Sequence, residues 1–176
     1  MRWRGATPKR RTGCIPTPES AWGRESVSAF VTAGAGFLLA VLWFDLMFDV
    51  QVLPHRRAGT LPEGVLASIA GYYRRVTTSA RPMNRLIATV MVATLAAIVI
   101  EIVRGEPRQW VAWASLVLAA GAIALAAVRI VPRAVRLGAR TDGPERQSML
   151  AMEIFRGHVV CAALIAALLV LQLSFA

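Results

Sequence analysis

Four long runs without a charged side chain constrain the fold of this chain more than any other feature. They are residues 26–44, 86–100, 109–128 and 159–176. A helix needs about 20 mainly apolar residues to cross the hydrocarbon of a bilayer, and no backbone polar group can be left unpaired there. The runs therefore predict an all-α fold, an integral membrane four-helix bundle. The overall composition agrees, with 56% hydrophobic residues and a mean hydropathy of +0.54.

Local breaking and capping residues set the predicted bounds of the spans. Pro54 ends the first span, and Pro82 fits the first turn of the second, where a missing N–H costs little. Asp142 and Glu145 form a candidate capping box before the fourth span. The predicted spans are about 26–50, 82–104, 108–131 and 145–175.

The first 25 residues differ from the rest in composition. Residues 1–25 are rich in arginine and contain three prolines, which predicts a disordered basic tail. The tail either belongs to the native protein or results from a start codon assigned too far upstream. We expect residues 26–176 to form one transmembrane domain.

The connection between the first two spans carries a helical pattern of its own. Within residues 61–78 the apolar positions recur at helical spacing beside Arg74 and Arg75. Those positions are Val65, Leu66, Ile69, Tyr72, Tyr73 and Val76. This pattern predicts an amphipathic interfacial helix, which either lies on the membrane or folds against the bundle.

The basic residues indicate partners and orientation. The formal charge is +10, but the arginines flank the apolar runs, where they meet lipid headgroups, so we expect no nucleic-acid partner. The membrane side of loops 49–84 and 132–157 carries eleven basic residues when Arg85, next to the first loop, is included, against eight on the side of the termini. The positive-inside rule then predicts a multi-pass protein of the cell membrane with cytoplasmic loops and external termini.

Four polar residues are candidates for a functional site at the loop side of the bundle. Asp45 and Asp49 are four residues apart and share a helix face, and the topology puts Asn84 and His158 near the same membrane surface. Ionisable groups in a bilayer are costly and often functional. Asp45, Asp49 and His158 are candidate metal ligands, and a proton or cationic ligand is an alternative. An interfacial acidic pair neutralised by arginines is the structural alternative.

A basic stripe follows the third span. Its members advance by four, three and four residues and are Arg129, Arg133, Arg136 and Arg140. Guanidinium groups at this position are expected to contact anionic lipid headgroups, and an anionic substrate is the alternative.

Two short segments resemble a known family. These are Arg81-Pro82-Met83-Asn84-Arg85-Leu86 and Arg156-Gly157-His158, together with the long connection after the first span. With them the chain resembles the anthrone oxygenase-like family of small four-helix membrane proteins. The resemblance implies an oxygenase acting on a lipophilic aromatic substrate, with Asn84 and His158 as the positions that carry a family role.

The sequence leaves two kinds of function open. Small residues recur every four positions in the first span, at Thr32, Gly36 and Ala40, a spacing that lets helices pack closely in lipid. With no phosphate loop or nucleophile motif in the chain, this favours an assembly or interaction bundle that binds itself or a membrane protein partner. The alternatives are a membrane-bound oxygenase or oxidoreductase, or a proton or cation carrier, using the four polar candidates.

Overall fold

The described part of the chain is mostly helical, with short loops and no strand. A computed structural model describes residues 18–105 and 108–175. Six α-helices follow one another: α1 Pro18–Asp49, α2 Glu63–Arg74, α3 Arg81–Arg104, α4 Gln109–Leu125, α5 Val131–Ala139 and α6 Pro144–Phe175. A 3₁₀ turn, Val50–His55, follows α1, and π turns Arg75–Ser79 and Ala126–Ile130 follow α2 and α4.

Four helical segments of these residues are long and apolar enough to cross a membrane. They are Val27–His55, Pro82–Arg104, Gln109–Ala139 and Pro144–Phe175. In the bundle, α1 packs against α3 and α6, and α4 packs against α3 and α6, so the four spans form a closed ring. The predicted all-α membrane bundle is confirmed. Of the expected tail, residues 1–17 lie outside the described residues, and α1 begins at Pro18.

The third helical segment is longer than the predicted 108–131. It passes through the π turn Ala126–Ile130 and continues as α5 to Ala139, with Pro132 in the first turn of α5. A proline removes one backbone donor and its ring crowds the preceding turn. The wider π turn directly before it accommodates this crowding, so the helix continues to Ala139 instead of ending at the proline.

Helix α2 packs against protein. Its buried face includes Leu66, Ile69 and Tyr73, and its main neighbour is α5. A Cβ added at Gly138 would lie 2.8 Å from the Arg74 backbone nitrogen and 3.0 Å from its Cα. Only a glycine therefore permits this close approach. Of the two expected positions for the loop helix, packing on the bundle is the one adopted.

The closest approach between α1 and α3 involves a glycine other than the one the small-residue pattern indicated. A Cβ at Gly34 would overlap Thr94 Oγ1 and lie 3.3 Å from Thr94 Cβ, whereas a Cβ at Gly36 would meet nothing within 4 Å. The pattern of Thr32, Gly36 and Ala40 lies beside the contact face, and Ala40 is exposed. The stripe therefore lies beside the contact with α3, and its use as a face that binds a partner or a second copy stays a prediction.

Candidate functional site

A cluster of acidic, phenolic and imidazole side chains lies where α1, α2 and α6 meet. Asp45 and Asp49 come from the last two turns of α1, and Tyr72 and Tyr73 come from the last turn of α2. His158 is near the middle of α6 and is 5% exposed. We call these five residues the polar cluster.

Asp49 is the most enclosed member of the cluster, with 1% of its side chain exposed. The Tyr73 hydroxyl donates a hydrogen bond to Asp49 Oδ1 at 2.5 Å. His158 Nδ1 lies 2.6 Å from Asp49 Oδ2, within hydrogen-bond distance. Both carboxylate oxygens thus have a partner, one on α2 and one on α6. Such pairing is what a buried polar group requires.

Asp45 is closer to the surface, with 18% of its side chain exposed. It accepts a hydrogen bond from the Tyr72 hydroxyl at 2.6 Å, and its Oδ2 lies 3.8 Å from His158 Nε2. The Tyr72 ring stacks on Phe48 at a centroid distance of 4.0 Å and an interplanar angle of 10°. Two acids on one helix face would repel each other if both were charged. Here each acid has its own tyrosine donor, and both lie beside the imidazole.

The environment keeps the two tyrosines protonated. Burial raises the pKa of Tyr73, and the nearby Asp49 carboxylate raises it further. Burial and the neighbouring Asp45 raise the pKa of Tyr72 in the same way. Both hydroxyls therefore act as donors, and each fastens the extramembrane helix α2 to the end of the first span.

The structure brings together the three candidate metal ligands, Asp45, Asp49 and His158. The oxygens of Asp49 are occupied by Tyr73 and by His158 Nδ1, which leaves His158 Nε2 and Asp45 Oδ2 as the atoms that face each other. Protein zinc sites use three or four protein ligands, and no group of three or more His, Cys, Asp or Glu residues within 18–105 and 108–175 is arranged to hold a metal. Metal binding stays a prediction, tested by elemental analysis beside His158→Ala.

The fourth candidate, Asn84, is not part of the cluster. It lies exposed in the first turn of α3, and its backbone N–H bonds the Ala80 carbonyl. Among the described residues its side chain makes no hydrogen bond to the two acids or to His158. The direction of the Asn84 side chain could not be predicted from topology alone.

The arginines of the basic stripe divide into two groups. Arg136 makes a two-point ion pair with Asp142, at 2.7 and 2.6 Å, and Arg140 makes one with Glu63, at 2.7 and 2.9 Å. These two guanidinium groups thus join α5 to the following loop and to the start of α2. Arg129 and Arg133 lie nearer the membrane, and contact with lipid headgroups remains a prediction for the stripe.

The helical pattern placed Tyr72 and Tyr73 on an apolar face, and their hydrogen bonds to the two acids were not predicted. The available signal was their chemistry: a buried tyrosine hydroxyl usually has a hydrogen-bond partner. Two adjacent tyrosines on an amphipathic helix, on the same membrane side as an acidic pair, would have been sufficient to propose the contact.

One protein family covers nearly all of this architecture. The model of the SHR3 chaperone family, described as ER membrane protein SH3, matches residues 25–175. No curated protein and no solved structure is significantly similar to the chain. The match supports a membrane-protein family, and nothing in it supports the expected anthrone oxygenase-like resemblance. The matched range contains every residue of the polar cluster.

Proposed function

The chain belongs to the SHR3 chaperone family, and from this membership we propose that it assists the assembly of other membrane proteins within the bilayer. The observation that carries the proposal is the length of the family match, residues 25–175, which includes all four spans and the loop helix. The family description also leads us to infer a location in the ER membrane, in place of the cell membrane expected from the sequence.

The surface of the bundle suits this role. In the most apolar 18-residue stretch of each span, only 22–33% is buried inside the protein, so most of each span faces lipid. Large apolar side chains cover the outer faces of the spans. They include Phe30, Val92, Val117, Val128 and Val170. Helices associate in lipid by surface packing, so these faces offer an incompletely assembled partner a place to bind without a fixed polar contact.

The polar cluster has a structural part in this proposal. Its hydrogen bonds are directed inward and tie α2 and α6 to α1, so the bundle keeps its shape while its outer faces contact a partner. The oxygenase and carrier alternatives receive no support from the family match. Cytoplasmic loops, external termini and a homo-oligomer remain predictions.

Site-specific photocrosslinking tests the proposal. A benzophenone amino acid replaces Phe30, which is 73% exposed on α1, and in a matched variant it replaces Arg57 in the exposed loop. Membranes are irradiated after a short pulse label and after a long chase. We expect the Phe30 probe to capture newly made membrane proteins several times more often than mature ones, and the Arg57 probe to capture few.

Two results would contradict an assembly role. One is an equal capture of new and mature proteins by the Phe30 probe, which reflects random collisions in the lipid. The other is a normal yield and solubility of all membrane proteins in cells depleted of the chain. If the Phe30 probe crosslinks only to other copies of this chain, the result would identify a homo-oligomer instead.

A further inference from the structure

A cleft opens between the third and fourth spans on the face of α6 opposite the polar cluster. It has a volume of about 280 Å³ and lies where the π turn after α4 passes α6. The cleft floor is close-packed, because a Cβ at Gly157 would lie 2.8 Å from Ile130 Cγ1. The charged residues that line it are Arg129, Arg133, Glu153 and Arg156, and the apolar ones include Leu125 and Val160.

These residues form three levels along the membrane normal. The chain leaves the membrane along α4 and α5 and re-enters along α6, so Arg133 and Glu153 are outermost, Arg129 and Arg156 follow, and Leu125 and Val160 are deepest. Four helical residues span about 6 Å, so successive levels are about one helical turn apart. The cleft is thus polar at the loop side and apolar toward the bilayer centre.

The outermost level is internally neutral, and the middle level is cationic. Arg133 Nε donates to Glu153 Oε2 at 2.6 Å, and its Nη1 donates to the Arg129 carbonyl at 2.9 Å. Arg129 and Arg156 are exposed and form no ion pair with any residue in the described ranges. Two guanidinium groups therefore face the middle of the cleft without an acidic partner there.

We propose that this cleft binds one anionic phospholipid, with the phosphate between Arg129 and Arg156 and an acyl chain against Leu125 and Val160. A phospholipid has the same order of chemistry along the membrane normal as the cleft: a polar headgroup, an anionic phosphate and then a hydrocarbon chain. Guanidinium groups bind phosphate with paired hydrogen bonds, which favours arginine at this level.

The proposed site does not include every arginine of the basic stripe that the sequence indicated. Arg136 and Arg140 have acidic partners of their own, and Arg156 comes from another helix. The apolar level distinguishes a lipid from a free phosphate ion, which would gain nothing from Leu125 or Val160. The site is also independent of the proposed assembly role, since it would bind lipid in a bundle of any function.

Native mass spectrometry of the full chain tests the proposal. Dioleoyl phosphatidylglycerol is titrated into the detergent-solubilised protein, with dioleoyl phosphatidylcholine and inorganic phosphate in parallel. We expect one retained phosphatidylglycerol, weakened roughly 30-fold in Arg129→Gln/Arg156→Gln, because each arginine near a headgroup is worth about a factor of five. The matched control Arg56→Gln/Arg57→Gln removes the same charge from the exposed first loop and should bind like the wild type.

A second variant tests the apolar level without changing any charge. Val160→Trp fills the deep end of the cleft from an exposed position on α6 and should weaken phosphatidylglycerol binding. Equal losses in both arginine double variants would overturn the site in favour of general surface attraction. Equal retention of phosphatidylcholine, or displacement of the lipid by millimolar inorganic phosphate, would overturn it as well.

Discussion

Replacing Tyr73 by phenylalanine removes one hydroxyl from the polar cluster and leaves the ring in place. That hydroxyl donates to Asp49 Oδ1 at 2.5 Å, and only 1% of the Asp49 side chain is exposed. Water cannot replace the lost donor at such a buried oxygen. A hydrogen bond to a charged group contributes about 1.5–3 kcal/mol, so we expect Tyr73→Phe to lower the free energy of unfolding by about 2–3 kcal/mol.

The neighbouring residue provides a matched control. Tyr72→Phe removes the same group from the same helix turn, and the ring stack on Phe48 is kept. Its acceptor, Asp45, has 18% of its side chain exposed, so water can take over the hydrogen bond. We therefore expect a loss below about 1 kcal/mol, as for interactions near a surface.

Thermal unfolding in detergent, followed by tryptophan fluorescence, distinguishes the two variants. For a chain of this length 1 kcal/mol corresponds to about 2–4 °C in Tm. Tyr73→Phe should then lower Tm by roughly 4–12 °C, and Tyr72→Phe by less than about 4 °C. Equal shifts, or a larger shift in Tyr72→Phe, would refute the argument that enclosure of the acceptor decides the loss.

Two further predictions concern helix packing and an exposed ion pair. Gly34→Ala should destabilise the bundle by about 1–3 kcal/mol because its Cβ overlaps Thr94, whereas Gly36→Ala should be neutral or stabilising; similar Tm values would contradict this. Hydrogen bonds from Arg136 hold the pKa of Asp142 below its usual 3.8. The stability from this pair is therefore present above pH 3.8 and is lost as the pH falls through the lowered pKa. In an NMR titration, Arg136→Gln should return the Asp142 pKa toward 3.8, and an unchanged pKa would disprove the pairing.

The four spans could be predicted from the sequence because a bilayer imposes one rule on every span. A run of about 20 apolar residues has to be helical and has to cross, whatever it packs against. The third helical segment continues past Pro132 to Ala139, beyond the predicted span, and the helical spacing of the arginine stripe agrees with this. The π turn that accommodates this proline has no sequence signal of its own.

The packing faces were harder to predict, because hydrophobicity does not distinguish lipid from protein in a membrane. In α1 the residues that pack inward include Val31 and Leu38, while Phe30 is equally apolar and faces outward. The same ambiguity left the position of α2 open, and the close contact of Gly138 decides it. Topology brought Asp45, Asp49 and His158 together correctly, since the two acids are near the loop end of the first span and His158 begins the apolar part of the last helix.

The two sites on α6 are separated by helix geometry. His158 differs from Arg156 and from Val160 by two positions, and two positions correspond to a rotation of roughly 200°. The turn of α6 that directs the imidazole toward Asp49 therefore directs Arg156 and Val160 to the opposite side, where the cleft lies. One side is closed by internal hydrogen bonds and the other is open to lipid, so the polar cluster can hold the loop helix in place whether or not a phospholipid occupies the cleft.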